Sequence, residues 1–368
     1  MYQTQERLSV VLPTYNEREN IPLLLKELFS LDQPYELEVL IVDDDSTDGT
    51  DQLVKSLAQS DSRIRLIRRV GRSGLASAIK EGLLNATGDI AAVLDSDGQH
   101  RPKDVFNAVK KLIEDDYDLV VGSRFMDKAK IKGLSLRRKG GSTFANGLAA
   151  ISLPSEFGEL TDYMSGCFAI NIKSTLSYIY QVDVNGFKFF YELLSVSKGR
   201  LNVGEIPLTF ESRLHGKSKL DASILWDFII SLLHTLSFRL LPRRAISFGL
   251  VGATGVIIQL TVTQFILSIS KFDFNEALPI SVILAATSNY LVNNSLTFRS
   301  QRLSGGSLFI GLLRFWLVAS LPVIANIGLA TTFYNVVAKD TLLAQMAGIF
   351  VVFIWNYVAS SRFVWKTY

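Results

Sequence analysis

Residues 90–100, IAAVLDSDGQH, join a short apolar run to two carboxylates that lie one residue apart. The apolar run has the length and composition of a buried β-strand. Because alternate residues of a strand point the same way, Asp95 and Asp97 are expected to converge at its end, with Gln99 as a further oxygen ligand. Such oxygens suit a hard cation, Mg²⁺ or Mn²⁺, which reaches a substrate phosphate through one or two carboxylates. Alone, the pattern fits an acidic turn after a strand equally well.

The sequence on both sides of this stretch alternates short apolar segments with longer amphipathic ones. Strands are predicted at 8–13, 37–42, 64–67, 90–94 and 119–122, and helices at about 20–31, 48–59, 74–85 and 102–114. This alternation indicates an α/β, Rossmann-like fold with a mostly parallel sheet. The polar clusters 13–17, 43–48 and 95–99 each follow a strand, so we expect them at the sheet edge where ligands bind.

Composition divides the 368-residue chain into a polar first part and an apolar second part. Residues 1–220 are rich in charge, whereas 245–365 consist mostly of Leu, Ile, Val, Ala, Phe and Gly, which predicts a soluble domain followed by a membrane domain. The net charge of +3 gives no reason to expect a nucleic-acid partner. The single cysteine, Cys167, excludes an internal disulfide. Residues 1–9 contain no apolar signal core, so the soluble domain is expected in the cytosol.

The apolar part is expected to be an all-α integral membrane domain that crosses the bilayer four times. The stretches at about 245–270, 277–298, 308–336 and 341–361 are long enough to cross a hydrocarbon core of about 30 Å. Residues 221–244 are amphipathic and are predicted to form helices at the membrane interface. The predicted domains are therefore 1–220, 221–244 and 245–368. Arginines before the first span, between the second and third, and after the fourth place both termini and the soluble domain on the cytoplasmic side.

A repeated pattern links the second and fourth of these stretches. Residues 289–298 and 356–365 both begin with Asn-Tyr, and both carry an aromatic residue nine positions after the asparagine. This pattern predicts a duplicated two-helix unit.

The soluble part carries an ordered set of motifs. They read VLPTYNERENI, VDDDSTDGT, GLASA, LDSDGQH, VGSRF, MSGCFAI and PLTFESRLHGKSKL. Over residues 8 to about 220 the chain resembles the glycosyltransferase family two enzymes with a GT-A fold. Within that family it is most similar to the polyprenol-phosphate sugar transferases of the dolichol-phosphate mannose synthase type. The membrane part resembles the GtrA-like domain that some of these synthases carry.

The resemblance implies which residues bind the substrates and the metal. The nucleotide-sugar site comprises Pro13, Tyr15, Glu17, Asp43, Asp44, Asp95, Ser96, Arg213 and Lys219. The metal ligands are Asp95, Asp97 and Gln99, which hold Mg²⁺ or Mn²⁺ against the donor diphosphate. The catalytic residues are Asp97, Arg124, Arg138 and Ser142, the last three of which bind the acceptor phosphate.

These roles describe a metal-dependent inverting glycosyltransferase. The favoured reaction moves mannose from GDP-mannose to a polyprenyl phosphate in the membrane, giving a lipid-linked sugar donor. The nucleophile is then a phosphate oxygen, which is largely ionised at neutral pH because the second pKa of a phosphomonoester is about 6. A general base is not needed, which agrees with the lack of an obvious catalytic histidine. Alignment and charge neutralisation supply the catalysis in this interpretation.

Two other interpretations stay open at this point. One keeps the reaction but takes UDP-glucose as the donor. The other is a lipid-linked sugar translocase or scaffold whose soluble domain only binds a nucleotide. A processive polysaccharide synthase is disfavoured because the Gln-x-x-Arg-Trp pattern common in that group is absent. The sequence predicts neither the length of the polyprenyl chain nor an oligomeric state.

Overall fold

The computed structural model describes residues 6–71, 74–131, 136–184, 188–211, 222–270, 272–320 and 341–366. The chain forms two compact units, Met1–Leu236 and Ser237–Tyr368. The division between them falls inside the amphipathic segment 221–244.

The first unit is an α/β domain. Its strands are β1 (Arg7–Thr14), β2 (Glu36–Asp43), β3 (Ile64–Arg68), β4 (Ile90–Val93), β5 (Leu119–Ser123), β6 (Lys130–Ile131), β7 (Phe168–Asn171), β8 (Val203–Pro207) and β9 (Thr209–Phe210). Its helices are α1 (Asn20–Ser30), α2 (Thr50–Ser60), α3 (Leu75–Leu84), α4 (Pro102–Glu114), α5 (Leu136–Ser152), α6 (Ile172–Gln181), α7 (Phe189–Ser197) and α8 (Ala222–Leu236), with a 3₁₀ turn at Ser155–Phe157.

Seven strands form one sheet in the order β3-β2-β1-β4-β7-β5-β8. Strand β7 runs antiparallel to both of its neighbours, and the other pairings are parallel. Strands β6 and β9 form a separate parallel pair. The prediction of a mostly parallel sheet is therefore confirmed, and the five predicted strands correspond to β1 to β5.

Alternation of side chains along the central strands fills the two faces of the sheet. Strand β1 is buried at every residue after the first. Its Val11 belongs to the core that includes Ile79 of α3, whereas Val10 belongs to the opposite core with Leu24 of α1. Both faces of the sheet are thus covered by helices, which explains why its strands read as continuous apolar runs.

The buried carboxylate of Glu38 joins the beginnings of three strands. It accepts hydrogen bonds from the Ser9 hydroxyl at 2.6 Å and from the Thr87 backbone N–H and hydroxyl at 3.1 and 2.8 Å, and it forms an ion pair with Arg65. Burial acts to raise the pKa of Glu38, but the hydrogen bonds from Ser9, Arg65 and Thr87 outweigh it and hold the pKa below its usual value. The ionised carboxylate therefore stabilises the fold.

We expect Glu38→Gln to lower the free energy of local unfolding of β1 and β2 by about 1–3 kcal/mol, because it leaves buried donors without an acceptor. Since the folded-state pKa is depressed, the contribution is complete above the ordinary glutamate pKa of about 4.3 and is lost as the pH falls through the lower folded value. Amide hydrogen exchange of Val39 and Leu40 as a function of pH measures both effects.

Glu36→Gln is the matched control for this substitution. Glu36 pairs with Arg7 at the surface, where an ion pair is screened by solvent. The control is expected to leave protection unchanged. Equal loss of protection in the two variants would contradict the role given to Glu38.

The second unit is helical. Its helices are α9 (Arg243–Ile269), α10 (Phe274–Val292), α11 (Gly306–Ser320) and α12 (Thr341–Ala359), with a 3₁₀ turn at Arg299–Gln301. Among the described residues, α9 alone is long and apolar enough to cross a membrane. The predicted count of four spans is therefore not confirmed, and much of the third predicted span, 308–336, lies outside the described residues.

The predicted repeat has a structural counterpart. Helices α10 and α12 each continue into a π-helical turn, Asn293–Thr297 and Ser360–Val364. The backbone N–H groups of Phe298 and Trp365 bond to the carbonyl of the first residue of their respective turns, at 2.8 and 3.2 Å. These two aromatic rings stack with centroids 4.1 Å apart and planes 9° apart. The equivalent positions of the two repeats thus meet inside the unit.

Candidate functional site

Three loops meet at the edge formed by the carboxyl ends of β1, β2 and β4. The backbone N–H of Asp44 donates to the Thr14 carbonyl at 2.9 Å. The Ser96 hydroxyl donates to the Pro13 carbonyl at 2.8 Å. These bonds join the loops after the three strands, so the predicted convergence of the three polar clusters is confirmed.

The loop after β1 presents an aromatic ring to solvent. Tyr15 is 43% exposed, and the next residue, Asn16, has a positive φ of 54°. The backbone N–H of Asn16 donates to the Ser46 hydroxyl at 2.8 Å, and that of Glu17 donates to the Thr50 hydroxyl at 3.2 Å. The loop is thus fixed against the segment that follows β2, and Tyr15 lies beside the acidic residues there.

The three acidic residues at the end of β2, 43–45, each have different partners. Asp43 is fully buried and accepts hydrogen bonds from the backbone N–H and the hydroxyl of Ser46. Asp45 forms an ion pair with Arg68 at 3.0 Å. Only the side chain of Asp43 is thus held within its own loop.

Asp44 is held by the segment that leads into α3. Its carboxylate pairs with buried Arg69 and accepts from the Gly74 backbone N–H at 2.8 Å. Burial raises the pKa of Asp44 and outweighs these partners. The predicted nucleotide-sugar contact of Asp44 stays a prediction, and the structure gives its carboxylate a structural role.

The loop after β4 forms a tight turn around the predicted metal ligands. Asp97 is 7% exposed, and its Oδ1 accepts from the Gln99 backbone N–H at 3.0 Å across Gly98, whose φ is +76°. The Gln99 carbonyl accepts from the Glu211 N–H at 2.8 Å. This turn places the Asp97 carboxylate and the Gln99 side chain on one short loop.

The donor set of this loop fits a hard divalent cation that also binds a substrate phosphate. Among the described residues, no group of three His, Cys, Asp or Glu side chains is arranged to hold a metal by itself. Two carboxylates and an amide oxygen supply hard oxygen ligands, and Mg²⁺ normally completes its coordination with phosphates and water. Asp95, Asp97 and Gln99 therefore fit a metal that binds together with its substrate.

Asp95 is confined on two sides. A Cβ atom added to Gly166 would lie 2.4 Å from Asp95 Oδ2, and the Nε2 of His100 lies 3.4 Å from the same oxygen. Burial acts to raise the pKa of Asp95, but His100 and the charges of Lys188 and Arg124 outweigh it and hold the pKa below its usual value. The carboxylate is therefore ionised at neutral pH.

Arg124 is held by a buried carboxylate. Its Nε and Nη2 donate to the two oxygens of Asp162 at 2.7 and 3.0 Å, and Asp162 is 0% exposed. The backbone N–H groups of Thr161 and Asp162 donate to Glu205 at 2.8 and 3.1 Å. A two-point contact of this kind fixes the plane of the guanidinium group. Arg124 thus has a defined direction before any substrate binds.

The roles predicted for Arg138, Ser142, Arg213 and Lys219 stay predictions, as do those of the other site residues. Ser142 lies in α5 and is partly buried, and Arg138 lies in the first turn of the same helix. The side chain of Arg138 lies outside the described part of the chain, as do Arg213 and Lys219 entirely.

Sequence reasoning missed several residues that shape this site. These are Gly166, Lys188, Asp162 and Glu205. Gly166 lies in the quoted motif MSGCFAI, and Asp162 precedes that motif by two residues. A glycine directly before an apolar strand was the signal that could have pointed to this loop. Nothing in the sequence around Lys188 or Glu205 marks them.

Two family descriptions match the chain. "Glycosyl transferase family 2" matches residues 9–177. "GtrA/DPMS, transmembrane domain" matches residues 247–365 and identifies the chain as a membrane protein.

Three similar proteins are dolichol-phosphate mannosyltransferases. That of Pyrococcus furiosus is 29% identical over 362 residues, which cover 98% of this chain and 100% of the relative. That of Saccharomyces cerevisiae is 32% identical and covers 63% of this chain and 87% of the relative. That of Mycosarcoma maydis is 30% identical and covers 69% and 84%, respectively.

One similar solved structure is glucosyl-3-phosphoglycerate synthase from Mycobacterium tuberculosis. It is 21% identical with a TM-score of 0.46, and the match covers 63% of this chain and 80% of that one.

Gly166→Ala is expected to displace the Asp95 carboxylate, because the new Cβ would lie 2.4 Å from its Oδ2. Changes in groups that support metal ligands typically weaken metal affinity about 10–100-fold. We expect a loss in this range for Mn²⁺ binding in the presence of a nucleoside diphosphate, measured by electron paramagnetic resonance. Gly147→Ala is the control, since a Cβ there meets no atom of the described residues within 4 Å. Unchanged Mn²⁺ affinity in Gly166→Ala would contradict the proposed contact.

Asp162→Asn is expected to destabilise the first unit by about 3–5 kcal/mol, because it leaves the charge of Arg124 without its partner. For a domain of this size the loss lowers the melting temperature by roughly 10 °C. Buried Cys167 becomes accessible on unfolding, so a thiol-reactive fluorescent probe reports the transition. Asp115→Asn, in an exposed pair with Lys111, is the control and is expected to leave the midpoint unchanged. A similar midpoint in both variants would contradict the claim that Arg124 depends on Asp162 to compensate its charge.

Proposed function

The chain belongs to the dolichol-phosphate mannosyltransferase family of glycosyltransferases, and we propose that it transfers mannose from GDP-mannose to a membrane polyprenyl phosphate with inversion. The observation that carries the proposal is the convergence, at one sheet edge, of an exposed ring, a buried carboxylate and the metal-binding loop: Tyr15, Asp43 and residues 95–99. Sheets of this kind bind nucleotides at that edge. The similarity to the P. furiosus enzyme over 98% of the chain supports a shared activity.

The donor nucleotide lies between the loops after β1 and β2 in this proposal. Tyr15 stacks on the base, and Asp43 accepts hydrogen bonds from it. Asp44 contributes indirectly, because its pair with Arg69 and its bond to Gly74 fix the segment before α3. Pro13, Glu17, Ser96, Arg213 and Lys219 complete the predicted nucleotide-sugar site.

Asp97, Gln99 and Asp95 hold Mg²⁺ or Mn²⁺ in this proposal. When bound, the ion neutralises the diphosphate as it leaves the sugar. The turn around Gly98 brings Asp97 and Gln99 together before the ion binds, because the Gln99 N–H donates to Asp97. The pKa of Asp95, which is held below its usual value, keeps that carboxylate ionised for the same purpose.

The acceptor phosphate is bound by Arg124, Arg138 and Ser142 in this proposal. Asp162 accepts hydrogen bonds from two nitrogens of Arg124, which fixes the direction of the remaining N–H groups of the guanidinium. A phosphate oxygen of the acceptor attacks the anomeric carbon, forming the new C–O bond as the bond from that carbon to the diphosphate oxygen breaks. The attacking oxygen is already ionised, so no proton has to be removed. One displacement on the opposite face inverts the anomeric carbon.

The membrane unit holds the lipid tail of the acceptor in the bilayer. We propose that the first unit and both termini lie on the cytoplasmic side, as the arginine distribution predicts. Nucleotide sugars would then reach the site directly from the cytosol.

The test incubates membranes containing the full chain with radiolabelled GDP-mannose or UDP-glucose, polyprenyl phosphate and Mn²⁺, and identifies the labelled lipid. We expect mannosyl lipid from GDP-mannose. Glucosyl lipid alone would show that the donor is UDP-glucose. Nucleotide binding without any labelled lipid would favour the translocase or scaffold.

Asp97→Asn is expected to lower the transfer rate by about 100-fold or more. Metal stabilisation of the leaving group is worth several kcal/mol, and about 1.4 kcal/mol is a factor of ten in rate. Asp48→Asn is the matched control, because Asp48 accepts from the Thr50 N–H at 3.0 Å at the start of α2, and asparagine keeps an acceptor oxygen for this bond. Transfer by Asp97→Asn at the wild-type rate would refute its catalytic assignment.

A further inference from the structure

We infer that His100 is a positioning residue that fixes the Asp95 carboxylate and anchors the metal-binding loop to β9. The inference deepens the proposed function and rests on its metal site.

His100 is almost completely buried, with 4% of its surface exposed. Its Nε2 lies 3.4 Å from Asp95 Oδ2, and its Nδ1 is buried with no hydrogen-bond partner among the residues that the structure describes. A buried polar atom without a partner costs about 1–3 kcal/mol. A residue chosen only to fill this space would avoid that cost by being apolar. The contact with Asp95 is the gain that a histidine offers at this position.

Asp95 is held from two directions that belong to different segments. Gly166, in the loop before β7, has room for no Cβ beside the carboxylate. His100, in the loop after β4, faces the same Oδ2 oxygen. The backbone of Gly166 restricts the position of the carboxylate, and the imidazole restricts its rotation. Loss of the imidazole nitrogen removes the second restriction and leaves the first intact.

The other side of the imidazole connects the loop to β9. The ring meets Phe210 edge to face, with centroids 5.3 Å apart and planes at 76°. His100 and Phe210 also form an antiparallel backbone bridge. Beside this bridge, the Glu211 N–H donates to the Gln99 carbonyl at 2.8 Å. The metal-binding loop is therefore attached to β9, which lies just before residues 212–220 in the sequence.

This attachment gives the metal ligands a rigid support. Asp97 and Gln99 lie within the attached loop, and Asp95 lies against the ring that anchors it. Phenylalanine is also a planar aromatic ring, somewhat larger than imidazole, and would retain the contact with Phe210. His100→Phe thus removes the nitrogen facing Asp95 while keeping the apolar packing.

The experiment measures Mn²⁺ binding to the detergent-solubilised full chain by electron paramagnetic resonance, with saturating GDP or UDP. We expect His100→Phe to weaken Mn²⁺ binding about 10–100-fold, the usual effect of losing a group that supports a metal ligand. Nucleotide binding without metal, measured by calorimetry, is expected to stay unchanged. His100→Gln retains an N–H donor and is expected to recover part of the Mn²⁺ affinity. His234→Phe, the same change at a buried histidine of α8, is the matched control.

Phe210→Leu supplies a second measurement that does not alter the imidazole. It is expected to weaken Mn²⁺ binding by less than His100→Phe, because only the support of the ring is lost. Unchanged Mn²⁺ affinity in a folded His100→Phe chain would overturn the inference. If that variant does not fold, unchanged affinity in Phe210→Leu would overturn it. An equal loss of Mn²⁺ and metal-free nucleotide binding would also overturn it, since that result indicates a general structural role.

The wild-type chain separates failure of this inference from failure of the proposed function. Wild-type Mn²⁺ binding that no nucleotide strengthens would overturn the metal site itself, and with it both proposals. Strong wild-type binding with unaffected variants would overturn the role of His100 alone. Mn²⁺ binding does not depend on which sugar is transferred, so a change of donor would leave the inference standing.

Discussion

The parallel pairing of β1 with β2 and β4 is the constraint on which the site depends. Parallel strands end at the same edge of the sheet. Asp43 is the last residue of β2 and Asp95 lies two residues after β4, so the two carboxylates are brought to one place. Gathering carboxylates is unfavourable unless each has a partner. The hydroxyl of Ser46 serves Asp43, and His100 with nearby cations serves Asp95. The sheet thus creates a negative site that a cation can complete.

Arginines that border the site are oriented by carboxylates. Arg69 is buried against Asp44 and also donates to Glu81 at 3.1 Å, and Arg124 makes a two-point contact with Asp162. A buried ion pair adds little net stability, because removing both charges from water is costly. Its effect here is geometric, since each guanidinium group is held in one plane. Arg69 supports the segments after β2 and β3, and Arg124 follows β5, on the other side of β4 in the sheet.

The sequence predicted those parts of the fold and site that depend on local pattern. Strands β1 to β5 are short apolar runs between helices, and Asp95 to Gln99 follow one of them directly. The partner of Asp44 was not predictable, because Arg69 lies 25 positions away and belongs to no local motif. Strand β7 has four residues, and its place between β4 and β5 depends on long-range pairing that periodicity does not encode. The residues that this strand brings to the site were missed for the same reason.

The single antiparallel strand explains how the two sides of the site are connected. Because β7 runs opposite to β4 and β5, its first residue lies at their carboxyl ends, and the loop before it enters the site. That loop carries Gly166, which confines Asp95, and Asp162, which holds Arg124. A parallel strand in this position would have placed the same loop at the far edge of the sheet. The reversal of β7 therefore lets one short segment set the positions of Asp95 and Arg124, the residues proposed to bind the metal and the acceptor phosphate.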